Sequence, residues 1–189
     1  MTQTRAEAGM AAALRHAANN LSMVVISNLD LLARGVTPDT PAARQLGRAR
    51  EAAERLLAML LPYTRLNQAP ALTLAAPEAV LQTLLPLLEV AAGGHGPVTL
   101  EAEPVPMVVL PRPGLDHALL AWAMAAAAES PRGTALRIGL AAVEDGVALR
   151  LWPSAAAALD GLVVLAALAG GSTSLGDDMV ELRLPHPVG

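Results

Sequence analysis

The chain has no cysteine and no phenylalanine, and only one tyrosine and two tryptophans among its 189 residues. Without cysteine, neither a disulfide framework nor a thiolate metal site is available. Aromatic residues make up 2% and hydrophobic residues 53%, so the interior must be built from Leu, Val and Ala. That palette suits helix bundles and small α/β layers. Lysine is also missing, and every basic residue is arginine. We read this as the composition of a GC-rich genome rather than as function. The net charge of −4 argues against general nucleic-acid binding, which needs clustered cations. The longest uncharged apolar runs, such as residues 118–128, fall short of the roughly 20 residues of a transmembrane helix. MTQTRAEAG at the start carries no apolar core of a secretion signal. The expectation is a cytoplasmic protein with no membrane partner.

What the sequence does hold is a long apolar-periodic stretch at residues 14–32, LRHAANNLSMVVISNLDLL. At about 100° per residue, Leu14, Ala18, Leu21, Val25, Asn28 and Leu32 fall on one stripe of a helix, widened by Ala17, Val24 and Leu31. His16 falls about 200° round from Leu14, in line with Asn20, Met23, Ser27 and Asp30. The spacing predicts a helix that buries one side and presents an imidazole on the other. An exposed imidazole on a rigid helix is placed to attack a group carried by a large partner. A lone surface histidine is more often only a polar surface residue.

The first helix is expected from about Thr4 to Arg34, with Gly35 as its stop. GVTPDTP is a turn, and Asp39 or Thr40 can cap a second helix over residues 42–66. There Leu46, Ala49, Ala53, Leu57 and Leu60 share one face, and Arg44, Arg48, Glu51 and Arg55 the other. Arg50–Glu54 and Glu51–Arg55 are i,i+4 pairs. Pro62 should kink or end the last turns. Two such helices form a hairpin that cannot bury both stripes alone. Pairing two hairpins as a four-helix bundle would bury them, so a homodimer is expected; cover by the C-terminal half is the alternative. Further on, the pattern gives a short strand at 72–75, a helix at 77–91, strands at 98–103 and 107–110, and a helix from Pro113 to Glu129. Strands at 134–143 and 147–152 then flank Glu144-Asp145-Gly146, followed by a helix at 155–169 and a strand at 179–184. The expected fold class is α+β: a helical hairpin domain over residues 1–68, then an α/β two-layer sandwich over 69–189. His95, His117 and His186 have no ligand-spaced partner, and no metal site is expected.

HAANNLSMVVISNLDLL resembles the H-box of bacterial sensor histidine kinases, of the form H-D-x-N-N-L-L-x-x-I-x-x-N-x-x-L-L. His16 matches the phosphorylated histidine, and Asn19, Asn20, Leu21, Ile26, Asn28, Leu31 and Leu32 match residues after it. One position departs: the acid next to the histidine is Ala17. The second half is similar to the ATP-binding domain of the same kinases. LTLAAPEAVLQTLLPLLE resembles its opening strand and helix, VVLPRPGLDHALLAWAMAAAAES its V-x-x-D-P-x-x-L-x-x-A-L-x-N-L-x-x-N-A segment, and GLVVLAALAGGSTSL with VELRLP its late helix and closing strand.

The nucleotide chemistry of that family is missing. The two asparagines that reach phosphate and Mg²⁺ in the kinases fall at Ala121 and Ala125, and a methyl group neither coordinates a metal nor bonds a phosphate. PSAAAALDG stands where the adenine-binding D-x-G-x-G should be, and Asp160-Gly161 comes too late. No segment is left for an ATP lid, and Gly170-Gly171 reads as a helix stop. Ala17 fits this pattern, because a protein that never meets ATP needs no base beside its histidine. The combination resembles the dimeric bacterial histidine phosphotransferases. That resemblance implies a phosphorelay protein. His16 would take a phosphoryl group from one receiver-domain aspartate and give it to another, with Asn20 orienting the ring. Arg15, Asn19, Met23, Ser27 and Arg48 would contact the receiver. No cofactor is implied, because Mg²⁺ would arrive with the receiver. The expected partners are response-regulator receivers and an upstream histidine kinase or hybrid kinase receiver. The histidine side chain has an intrinsic pKa of about 6.5, so the neutral nucleophile is available. A non-catalytic adaptor that binds receivers or kinases, and an active kinase with divergent ATP contacts, are the alternative functions.

Overall fold

The computed structural model describes residues 2–186, with side chains described from residue 16 onward. The chain divides into two compact units, Met1–Ala69 and Pro70–Gly189.

The first unit is a pair of helices, α1 (Thr2–Arg34) and α2 (Pro41–Leu66). The cap of α2 is Thr40, whose hydroxyl accepts the backbone N–H of Ala43 at 3.1 Å, with Pro41 supplying a pre-set φ at the first helical position. Asp39 takes a left-handed φ of 64° in the turn instead. Pro62 does not end α2, which continues to Leu66. Near the loop Arg50 reaches Asp30 of α1 at 2.8 Å and Glu54 of its own helix at 2.9 Å. All three groups are about half exposed, so these bonds fix register more than they add stability.

The face of α1 that packs on α2 differs from the expected stripe. Among the described side chains of α1, Ala18, Asn19, Ser22, Ile26, Leu29 and Asp30 are half-buried, while Leu21, Val25, Asn28 and Leu32 stay exposed within the hairpin. The cause is geometric. A small-residue face lets two helices approach closely, and it lies roughly 100° from the Leu-rich one. On α2 the packed residues are Ala43, Leu46, Ala53, Leu57 and Leu60, close to the expected face.

The second unit is a two-layer sandwich. A five-stranded sheet has the order β2 (Val98–Ala102), β4 (Leu136–Val143), β5 (Gly146–Trp152), β7 (Val180–Pro185), β6 (Ser172–Leu175). Only β2 and β4 run parallel. A separate ribbon pairs β1 (Ala71–Ala75) with β3 (Val108–Arg112). Three helices, α3 (Pro77–Ala91), α4 (Gly114–Glu129) and α5 (Leu159–Leu168), cover one face of the sheet. Strand alternation sends Ile138, Leu140, Leu149, Leu151, Val180 and Leu182 into that core, against Leu81, Leu84, Leu88, Leu119, Trp122 and Leu162 of the helices. Trp122 is fully buried, and its indole N–H donates to the Pro153 carbonyl at 3.0 Å. The turn between β4 and β5 needs Gly146, because a side chain there would collide with the Leu184 carbonyl of β7.

Candidate functional site

His16 is exposed on α1, and one turn later Asn20 places its amide nitrogen 3.1 Å from the imidazole Nε2. An amide nitrogen can only donate, so Nε2 accepts and the ring proton sits on Nδ1 with the amide oriented this way. The lone pair of Nε2 is therefore directed at the Asn20 amide, along the exposed surface of the helix. Met23 and Ser27 are exposed on the same face, and Asn19 is half-buried beside it. From His16 to Ser27 this face runs about 16 Å. Ala17 offers no carboxylate, and the next acid along α1, Asp30, is held by Arg50.

Arg48 is exposed on α2 but lies near the loop. The Asp30–Arg50 bridge places it level with the C-terminal end of α1, and His16 is therefore roughly 24 Å away along the hairpin axis. The structure does not bring Arg48 beside His16. Arg15 lies outside the residues whose side chains are described.

A second surface was only partly legible. Leu21, Val24, Val25, Leu31 and Leu32 of α1, and Leu56 and Tyr63 of α2, are between 47% and 68% exposed. On each helix these residues are turned from the packed face in the same sense by roughly 100°. In antiparallel helices that puts both stripes on one side of the hairpin. His16, Asn20, Met23 and Ser27 are turned the opposite way, onto the other side.

In the second unit Ala121 is exposed and Ala125 is half-buried against the core, so neither offers a polar group. From the end of β5 the chain reaches a single 3₁₀ turn, Ala156–Ala158, and then α5, which contains Asp160 and Gly161. The N–H groups at the start of this turn are a natural anion seat. Here the carboxylate of Glu129, at the end of α4, accepts from Ala156 at 3.0 Å and from Ala157 at 3.3 Å. At the start of α4, Arg112 and the buried Asp116 form an ion pair. Among the described residues no group of three or more His, Asp or Glu could hold a metal, and no helix is long and apolar enough to cross a membrane.

A helical hairpin followed by this mixed sheet is the fold of the sensor histidine kinases, with the helices first and the sandwich second. The chain is similar to the Acinetobacter baumannii histidine kinase AdeS, with 14% identity over 86% of this chain and 95% of that one and a TM-score of 0.50. It is similar to the cytoplasmic segment of histidine kinase QseC, with 17% identity over 72% of this chain and 95% of that one and a TM-score of 0.52. A histidine kinase from Burkholderia phymatum STM815 matches over the full length of both chains, at 13% identity and a TM-score of 0.50. No family model and no curated protein matches the sequence.

Proposed function

We propose that the chain is a histidine phosphotransfer protein of a two-component phosphorelay. The observation that carries this is the exposed His16, with its Nε2 lone pair held by Asn20, on a kinase-like hairpin. A receiver domain bearing an aspartyl phosphate docks on the face from His16 to Ser27, with Asn19 at its edge. Nε2 leaves Asn20 and attacks phosphorus in line. The N–P bond forms as the P–O bond to the aspartate breaks, and the carboxylate departs. The Nδ1 proton stays on the ring, so no carboxylate base is needed, which suits Ala17. Transfer to a second receiver runs the same step backwards. Mg²⁺ brought by the receiver offsets the charge on the phosphoryl oxygens, and the chain itself contributes position. Arg15 and Arg48 serve as outlying contacts to acidic receiver surfaces.

The second unit of this protein then does not bind ATP. That reading is supported by methyl groups at Ala121 and Ala125 and by the Glu129 carboxylate seated on the turn before α5. Two hairpins pair through the apolar side formed by Leu21, Val25, Leu32 and Leu56, giving a homodimeric four-helix bundle. Because His16 lies on the other side, dimerisation leaves it open to receivers. We place the protein in the cytoplasm, where receivers and their kinases meet.

The test is label transfer. Mixing the protein with a radiolabelled phospho-receiver should move acid-labile label onto it, and His16→Gln should accept none. Tight receiver binding without transfer would mark a non-catalytic adaptor instead.

A further inference from the structure

Arginines in the second unit are not scattered. Residues 70–189 hold twelve carboxylates and five arginines, a net charge of −7. Arg112 is paired with Asp116, and Arg132 sits in the turn after α4. The other three, Arg137, Arg150 and Arg183, all alternate out of phase with the core residues of β4, β5 and β7. They therefore project from the sheet face that the helices leave bare.

Their side chains are already ordered. Arg137 is in register with Trp152, and its guanidinium lies 5.3 Å from the indole centroid. Arg150 is in register with Glu181, whose two oxygens accept from Nε of Arg150 and Nε of Arg183, each at 2.7 Å. Glu181 is 6% exposed at its side chain, whereas Arg150 is 36% and Arg183 60% exposed. The hydrogen bond from Arg150, more than any other contact, holds the Glu181 carboxyl below the ordinary carboxylate range, so it is an ionised internal anchor. Both guanidiniums engage Glu181 through Nε, which leaves Nη donors for a further acceptor. Paired N–H groups in that fork match a carboxylate. Glu101 shares the face but sits one strand away, on β2 opposite Gly139.

We propose that this bare sheet face binds a short acidic segment of a partner protein, its carboxylates pairing with Arg137, Arg150 and Arg183. By register Arg137 is level with Trp152, Arg150 lies two residues along and Arg183, level with Ala148, two residues further, so the three form a diagonal of about 16 Å, the length of roughly five extended residues. A nucleic acid fits less well. The indole of Trp152 has Arg137 over its ring and lies against Gly139, where an added Cβ would come within 2.8 Å of a ring atom. A base stacking there would have to compete with that guanidinium. The acidic remainder of the unit also repels a long polyanion. This surface is independent of the His16 site and stands or falls apart from it.

Fluorescence anisotropy with a short fluorescein-labelled Glu/Asp peptide and the full chain tests it. Saturable binding at low salt is expected, weakened at least tenfold in the Arg137→Gln/Arg183→Gln variant and abolished in high salt. Both arginines are exposed, so the variant should keep its far-UV circular dichroism and melting temperature. Absence of binding, equal affinity in the variant, or equal affinity for a Lys-rich peptide would overturn the proposal. So would tighter binding of an oligothymidylate of the same charge.

Discussion

Replacing Leu21 and Leu32 together by serine should convert the proposed dimer to a monomer without unfolding the hairpin. Both side chains are at least 60% exposed in the isolated chain, so neither holds α1 to α2. Completing the burial of a Leu that is already partly covered contributes about 1 to 2 kcal/mol. Two residues in two protomers make four side chains, so the lower figure alone removes about 4 kcal/mol of association free energy. That corresponds to roughly a thousandfold rise in the dimer dissociation constant. Sedimentation equilibrium reads the constant directly, and far-UV circular dichroism reads the helices. The wild type should be dimeric at micromolar concentration and the variant monomeric, with helicity retained through the Ser22–Ile26–Leu29 face. An unchanged dissociation constant would show that these leucines lie outside the interface, and a monomeric wild type would remove the bundle altogether.

Three other substitutions probe separate parts of the molecule. His16→Gln should abolish transfer and change stability by less than about 0.5 kcal/mol, because the ring is exposed; a large fall in melting temperature would instead make it a packing residue. Asp116→Ala should cost about 3 kcal/mol in urea unfolding, since it strands a mostly buried Arg112 without its counter-charge. Glu181 is held below its ordinary pKa by Arg150, so its contribution is present above the unfolded carboxylate pKa and is lost as pH falls through the lower folded value. Urea unfolding against pH should therefore show a shallower acid loss in Glu181→Gln than in the wild type; identical slopes would remove the linkage.

Much of this fold could be read from residue order, because local chemistry and tertiary packing agree. Thr40-Pro41 marks the start of α2, Pro77 opens α3 as expected, and Glu144-Asp145-Gly146 turns β4 into β5. The exceptions have particular causes. The strand at 107–110 was expected to stop before Pro111, yet β3 continues to Arg112, because it pairs with a single neighbour and an edge tolerates the missing N–H. β6 was missed: four residues of STSL after a glycine pair carry no apolar alternation, and the strand exists only by pairing with β7. The expected helix at 155–169 begins as a 3₁₀ turn tied to Glu129, a contact no local pattern signals. The wheel of α1 placed His16 on an exposed face and marked the leucine stripe as a side a single hairpin cannot bury, but it did not show which face meets α2. The face that packs on α2 is built from Ala18 and Ser22 as much as from Ile26 and Leu29, so its apolar signal is weak. The arginine stripe was legible only as charges alternating with core residues in VALRLW and VELRLP, a pattern that also describes any solvated strand.

The most direct measurement is a pair of labelling reactions run side by side, one with a radiolabelled phospho-receiver and one with radiolabelled ATP and Mg²⁺. The expected result is acid-labile label on the wild type from the receiver alone, absent in His16→Gln. Label incorporated at His16 from ATP would contradict the loss of nucleotide chemistry at Ala121 and Ala125. No label from any receiver would contradict the phosphorelay itself.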